Sequence, residues 1–133
     1  AQFNAILAQY PNVAGIVAPT TVGVKAAAAE KKSKKAAVKV TGLGLPSEMA
    51  PYIEDGTVEK VGLWNPIDLG YVAVYAAAQA KTGTFKGTVG SSFLAGPTAK
   101  TQKKYTVTAG GITYLGDPFT FTKANIATFK AIY

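Results

Sequence analysis

Short apolar runs alternate with amphipathic stretches through the first 81 residues. Apolar residues recur at helical spacing in four stretches, which predicts helices over residues 2–10, 22–30, 47–55 and 67–81. Three short apolar runs between them are typical of strands covered on both faces, and they span residues 13–18, 37–41 and 58–63. This alternation predicts parallel strands joined by right-handed crossovers, and therefore an α/β fold with a three-layer, Rossmann-like parallel sheet.

Beyond Thr84 the pattern changes to short β-prone runs separated by turns. Four such runs are predicted as strands, over residues 92–94, 105–108, 112–115 and 119–121. Ala109, Gly110 and Gly111 lie between two of these runs and predict a hairpin turn. A short final helix is predicted over residues 123–129, so this part of the chain reads as a β-rich tail.

Composition is that of a globular chain. The 133 residues are enough for one ordinary domain, and 48% hydrophobic with 16% charged residues argues against disorder. No apolar run approaches the roughly 18 residues needed to cross a bilayer. Ala1 stands directly in a helical pattern without a charged leader region, so we expect no signal peptide here. A secreted protein could still contain this chain as its distal part.

The residue types that are missing exclude several functions. Histidine and cysteine are absent, which removes the commonest general base, thiolate chemistry and the usual transition-metal ligands. No pair of carboxylates is clearly placed for acid–base catalysis. We therefore expect no catalytic residue, no metal site and no cofactor. The net charge of +7 comes from 14 lysines without one arginine, and the lack of arginine argues against nucleic acid as a partner.

Polar and glycine-rich turns follow the predicted strands at their carboxyl ends, where open α/β sheets bind ligands. The candidate ligand-binding residues at these turns are Pro19, Thr20, Thr21, Leu45, Trp64 and Asn65. The glycines of the turn at residues 42–46 would let backbone approach a ligand closely. Hydroxyl, amide and indole groups suit a sugar, because they bond its hydroxyls or pack on its C–H face.

Each candidate also has a purely structural interpretation. The Pro19–Thr21 turn could simply cap the following helix through Thr20 or Thr21. Trp64 could be a core residue, and Asn65 could cap the helix that begins behind Pro66.

Motifs across nearly the whole chain resemble one family. AQYPNVAGIVAPTTVG (8–23), VTGLGLPSEMAPYIEDGTVEKVGLWNPIDLGY (40–71) and the tail segments FLAG, YTV, YLGDPFTF and KANIATF resemble type I periplasmic sugar-binding proteins of ABC transporters. The combination of GLGLP, LWNP and GY is similar to the branch that binds rhamnose and autoinducer-2.

Such proteins have two α/β lobes with the sugar between them, and they are more than twice as long. The resemblance implies that residues 1–64 are the distal part of the second lobe. Residues 65–133 would be a crossover helix and a C-terminal tail that completes the lobes. It places residues 67–81 on the other lobe, which would leave Val72, Tyr75 and Ala76 in need of a partner. That partner would be the missing N-terminal part of the same protein, or a swapped copy.

The same resemblance implies that the protein is the solute-binding component of an ABC sugar importer. Its expected location is the periplasm or the outside of the cell, where it could be a membrane-anchored lipoprotein. Its partners would be a small sugar such as rhamnose and the importer's permease. Autoinducer-2 is the competing ligand. The alternative function is the sensor domain of a sugar-responsive transcription regulator that shares the fold.

Overall fold

Helices and strands alternate along the computed structural model, which describes residues 2–132. The elements are α1 (Gln2–Gln9), β1 (Gly15–Ala18), α2 (Thr21–Lys34), β2 (Lys39–Gly42), α3 (Pro46–Glu54), β3 (Lys60–Leu63), α4 (Pro66–Lys81), β4 (Ser92–Ala95), β5 (Lys103–Thr108), β6 (Ile112–Thr113), β7 (Phe119–Thr122) and α5 (Ile126–Phe129). They fall into two compact units. The chain leaves the first unit after Leu63, forms the second unit, and returns to the first unit at Phe119. The predicted α/β class is confirmed.

The first unit is built on parallel strands. β1 pairs with β2 in parallel, with Ile16 opposite Val40. A parallel bridge between Leu43 and Gly62 links the end of β2 to β3. β7 then returns antiparallel along β3. The strand order is therefore β1-β2-β3-β7, and all three parallel strands point their carboxyl ends to one edge.

One face of these strands carries the core of the first unit. The alternation of side chains along each strand brings Val40, Val61 and Phe121 to this face, and all three are buried. Helices α1, α2, α3 and α5 contribute to the same core cluster through Phe3, Val24, Ala27, Ala28, Met49, Ala50, Ile53 and Ile126. The apolar periodicity that predicts these helices from sequence is thus explained by a shared packing face.

The second unit, residues 64–118, consists of one helix and an antiparallel sheet. The sheet order is β4-β5-β6, and α4 packs on β4. Val72, Tyr75 and Ala76 pack against a small cluster of Phe93, Ala95 and Tyr105. These three helix residues were expected to need a partner outside the chain. The cluster on β4 and β5 covers them in part, no residue of α4 is fully buried, and a further partner stays a prediction. The predicted hairpin turn at residues 109–111 is confirmed by the antiparallel pairing of β5 with β6.

Two strands begin later than predicted because the first residues of each predicted run are hydrogen-bonded in the preceding turn. The backbone N–H of Val13 donates to the Tyr10 carbonyl at 3.1 Å, so β1 begins at Gly15 instead of residue 13. The N–H of Val58 donates to the Tyr52 carbonyl at 2.8 Å, and β3 begins two residues later. Apolar side chains at these positions still join or adjoin the core, which is why the sequence pattern extends past the hydrogen-bonded strand.

Candidate functional site

The carboxyl ends of the parallel strands are tied together by backbone hydrogen bonds. The N–H of Leu43 donates to the Ala18 carbonyl at 3.0 Å, which joins the end of β2 to the end of β1. The N–H of Gly44 donates to the Gly62 carbonyl at 3.1 Å, which continues the connection to β3. This edge is therefore a fixed frame for the two turns of the first unit that carry candidate residues.

The turn after β1 holds Pro19 and Thr20, both exposed. The Thr20 backbone is extended, and its side-chain oxygen accepts a hydrogen bond from the Gly23 N–H at 3.1 Å. Thr20 is thus the N-cap of α2, and Thr21 is its first helical residue. The structural interpretation of Thr20 is confirmed, and its contact with a ligand stays a prediction.

Thr21 and Leu45 are brought together. The Leu45 N–H donates to the Thr21 Oγ1 at 3.1 Å, which bonds the start of α2 to the turn after β2. Both residues are half-buried. A Thr21 hydroxyl that accepts this bond keeps its own O–H to donate elsewhere, so the pair offers one polar donor beside one apolar side chain.

Two glycines of the turn after β2 lie closely against other parts of the protein. Gly42 has φ 154°, and a Cβ built there would lie 1.8 Å from the Ala18 carbonyl oxygen. A Cβ on Gly44 would lie 2.7 Å from Met49 Cγ. Packing against the protein's own backbone and core therefore explains both glycines, and the close approach of this turn to a ligand stays a prediction. Ala18 is the register partner of Gly42, and both residues are small, as a close approach of the two backbones requires. The sequence alone does not show this pairing, because the register of β1 and β2 is known only from the structure.

Trp64 and Asn65 begin the second unit and directly follow β3 in the chain. The Trp64 side chain is 44% exposed, so the interpretation of Trp64 as a core residue is wrong. The Asn65 Oδ1 accepts hydrogen bonds from the N–H groups of Ile67 at 2.9 Å and Asp68 at 3.2 Å. Asn65 is thus the N-cap of α4, with Pro66 in the first turn, as the sequence predicts. Contact of Asn65 with a ligand stays a prediction.

Charged side chains with shifted pKa values lie on the helices of the first unit. The Lys32 ammonium lies 2.7 Å from the Asp55 carboxylate, and together with hydrogen bonds from Thr57 it lowers the pKa of Asp55 to about 2. The hydrogen bond and charge of Glu48, 2.6 Å away, raise the pKa of Lys25. Both pairs link α2 to α3 or to the turn behind it, so they are explained as structural ion pairs.

The candidate residues present hydroxyls, backbone amides and apolar side chains, which are groups suited to binding a ligand. Within residues 2–132, no group of three or more acidic side chains is placed to hold a metal ion. No helix of the described part of the chain is long and apolar enough to span a membrane.

Comparison with known proteins agrees with this arrangement. Residues 1–84 match the family model of the periplasmic binding protein domain. An ABC transporter solute-binding protein from Clostridium phytofermentans, with bound L-rhamnose, is 43% identical with a TM-score of 0.84, over 99% of this chain and 44% of that one. A sugar ABC transporter from Actinomyces odontolyticus is 39% identical with a TM-score of 0.75, over 96% of this chain and 40% of that one.

A more distant structure shares the fold alone. LsrB from Clostridium saccharobutylicum, in complex with AI-2, is 19% identical with a TM-score of 0.77, over 96% of this chain and 43% of that one. The chain spans about two fifths of the length of all three proteins. Because the family model covers well over half of the chain, and two structures share about two fifths of its residues, the chain belongs to the periplasmic binding protein family and is similar to part of the binding proteins of sugar ABC transporters.

Proposed function

We propose that the complete protein is the solute-binding component of an ABC sugar importer and that it binds a small, rhamnose-like sugar. The similarity to the L-rhamnose-bound protein, 43% identical over 99% of this chain, is the observation that carries the proposal. The protein would work without catalysis, in the periplasm or outside the cell, and would deliver its sugar to a permease. Its mechanism would be closure of two lobes, because the ligand binds the closed state better than the open one.

The proposed ligand site uses the turns at the strand ends. Thr20 and Thr21 would donate their O–H groups to sugar oxygens, since both side-chain oxygens already accept bonds from backbone N–H groups. Pro19 and Leu45 would contact the apolar part of the ligand. A deoxyhexose presents a methyl group as well as hydroxyls, so a pocket for it needs apolar and polar walls.

Trp64 and Asn65, at the start of the second unit, are further candidate contacts for the sugar. The exposed indole of Trp64 can pack on the C–H face of a sugar ring, and the Asn65 amide can bond its hydroxyls. The side chain of Asn65 is held in place by its two capping bonds, which reduces the entropy lost when a ligand binds.

Calorimetric titration of the complete protein with a panel of sugars tests the proposal. We expect binding of L-rhamnose or a close relative, and at least about a fivefold loss of affinity for Trp64→Ala, from about 1–3 kcal/mol of lost contact. Asn65→Ala would remove both the cap and the amide, whereas Asn65→Asp keeps a good N-cap but removes the amide donor. Equal weakening by both Asn65 variants therefore reports a ligand contact.

Three results would contradict parts of the proposal. Unchanged affinity in the Trp64 and Asn65 variants would remove these residues from the site. Absence of binding to any sugar by the intact protein would remove the function. Tight binding of autoinducer-2 in place of every sugar would assign the competing ligand.

A further inference from the structure

Six lysines lie at the edge of the first unit where its parallel strands begin. α2 runs back along the sheet, so its carboxyl end lies at this edge, and β7, antiparallel to β3, also ends there. The six are Lys31, Lys34 and Lys35 at the end of α2, Lys39 and Lys60 at the starts of β2 and β3, and Lys123 directly after β7. We call them the basic edge. Lys31, Lys39, Lys60 and Lys123 line one groove of about 460 Å³, so separate elements bring these side chains together.

The groove opens because β2 and β3 diverge toward this edge. Within the described residues their β-pairing is the bridge between Leu43 and Gly62, at the carboxyl ends of the two strands. Nearer the amino ends the Thr41 hydroxyl donates to the Lys60 carbonyl at 2.8 Å, so a side chain takes the place of a bond between the two backbones. The strands therefore leave an open groove between the lysines instead of a closed sheet.

Few acidic side chains balance the charge of this edge. The Glu59 carboxylate lies 3.4 Å from the Lys39 ammonium, and both side chains remain largely exposed. The neighbouring carboxylates of Asp55 and Glu54 are held by lysines outside the basic edge. Five lysines of the basic edge make no ion pair with any described residue; they are Lys31, Lys34, Lys35, Lys60 and Lys123. Because these charges lie at one edge, their positive potentials add.

Helix and turn geometry explains only part of this lysine cluster. Cations in the last turn of α2 are favoured by the helix dipole, which accounts for Lys31 and Lys34. Lys39 and Lys60 begin strands, where no helix dipole favours a cation. Lys35 has φ 52°, a left-handed conformation that glycine adopts without strain and lysine does not. Its capping bonds use the backbone N–H alone, so the cap does not explain the charge at this position.

We propose that the basic edge binds the anionic surface of a phospholipid membrane. The ammonium groups of exposed lysines bind phosphates as point charges and need no fixed geometry, which suits a layer of lipid headgroups. A nucleic acid is a poorer partner because the chain has no arginine. A protein partner is poorer too, because protein interfaces are depleted of lysine and use aromatic side chains, which the basic edge lacks.

The position of the basic edge fits this partner. The basic edge lies at the amino ends of the parallel strands, and the turns that carry Thr21 and Leu45 lie at their carboxyl ends. A membrane bound at the basic edge would therefore leave these turns uncovered. Membrane binding and ligand binding can then occur together in one molecule.

Vesicle sedimentation of the complete protein, prepared without lipid modification, tests the proposal. The vesicles contain phosphatidylcholine alone, or phosphatidylcholine with about one third phosphatidylglycerol. We expect binding to the anionic vesicles to be at least about tenfold tighter than binding to the neutral ones. Because the attraction is between exposed charges, the affinity should fall at least about fivefold as sodium chloride is raised from about 0.05 to 0.5 M.

Variants of equal net charge separate the basic edge from the rest of the surface. Lys34→Gln with Lys60→Gln should weaken binding to anionic vesicles about tenfold or more, since each lysine near such a surface contributes roughly fivefold. Lys86→Gln with Lys100→Gln removes two exposed charges of the second unit and should leave affinity within about threefold. Lys34→Arg with Lys60→Arg keeps both charges and should bind like the parent protein. Circular dichroism checks that each variant is folded.

Equal binding to neutral and anionic vesicles would overturn the proposal, as would equal losses in the two glutamine variants. Failure of the arginine variant to bind would overturn it as well, because charge would then not be the cause of binding. Tighter binding of polyglutamate or duplex DNA than of anionic vesicles at the same salt would assign the edge to an acidic polypeptide or a nucleic acid instead. No sugar enters the experiment, so its outcome is independent of the proposed function.

Discussion

Replacing Gly42 by alanine should disturb the pairing of β1 and β2 beneath the candidate site. A Cβ on this residue would lie 1.8 Å from the Ala18 carbonyl oxygen, 2.7 Å from its carbon and 2.9 Å from its nitrogen. All three atoms belong to the backbone of β1, so no rotation of a side chain can relieve the contact. The end of β2 would have to move away from β1 by more than an ångström.

The size of the effect can be worked out from what that movement breaks. The Leu43 N–H bond to the Ala18 carbonyl is 3.0 Å long and would be lost, which costs about 1 kcal/mol. A side chain at φ 154° adds backbone strain of about 1–3 kcal/mol. Gly42→Ala should therefore lower the free energy of unfolding by about 2–4 kcal/mol, a large share of the stability of an ordinary domain.

Urea unfolding followed by circular dichroism measures this change, and Gly62→Ala is the matched control. Gly62 lies in the adjacent strand β3, where a Cβ would sit 3.8 Å from the Phe119 carbonyl oxygen in ordinary contact. We expect the Gly62 variant to be far less destabilised. A loss below about 1 kcal/mol for Gly42→Ala, or equal losses in the two variants, would refute the close approach of β1 and β2.

Three other substitutions give distinct outcomes. Asp55→Asn should reduce stability at neutral pH; because the folded pKa of about 2 lies below the unfolded value of 3.8, this difference should shrink as the pH falls from about 4 toward 2, and a constant difference in urea midpoint would exclude the ion pair with Lys32. Gly70→Ala should raise the free energy of unfolding by about 0.5–1 kcal/mol, since the site lies inside α4 with no atom within 4 Å of a new Cβ, and a lower melting temperature would contradict this. Thr21→Val should cost about 1–2 kcal/mol by leaving the Leu45 N–H without its acceptor, with Thr21→Ser recovering most of the loss in the same unfolding assay.

The α/β class and the number and order of the long elements are predictable from sequence, because they depend on local apolar periodicity. α4 illustrates this, since its predicted span of 67–81 differs from the observed Pro66–Lys81 by one residue. Its packing is less predictable. The residues that face β4 are spaced for burial, but the periodicity of a helix does not say which distant strand covers it.

Candidate site residues were found from their position after predicted strands, and their local bonds follow from their types. Asn65 before Pro66 and a threonine before α2 are recognisable caps. Contacts between separate turns are not visible in this way. The bond from Leu45 to Thr21 joins residues 24 positions apart, and the close approach of Gly42 to Ala18 exists only once β1 and β2 are paired in register.

Residues proposed to bind the ligand also make hydrogen bonds that stabilise the surrounding turns and helix ends. A loss of affinity in a variant can therefore have two causes. Thr20 caps α2, Thr21 bonds Leu45 and Asn65 caps α4. An alanine at any of these positions removes a structural bond together with a candidate contact, so weaker binding alone does not assign a contact. The same bonds fix each side chain before a ligand arrives, which lowers the entropy cost of binding. Pairs such as Asn65→Ala with Asn65→Asp, where one variant keeps the frame, are therefore the measurements that separate support from recognition.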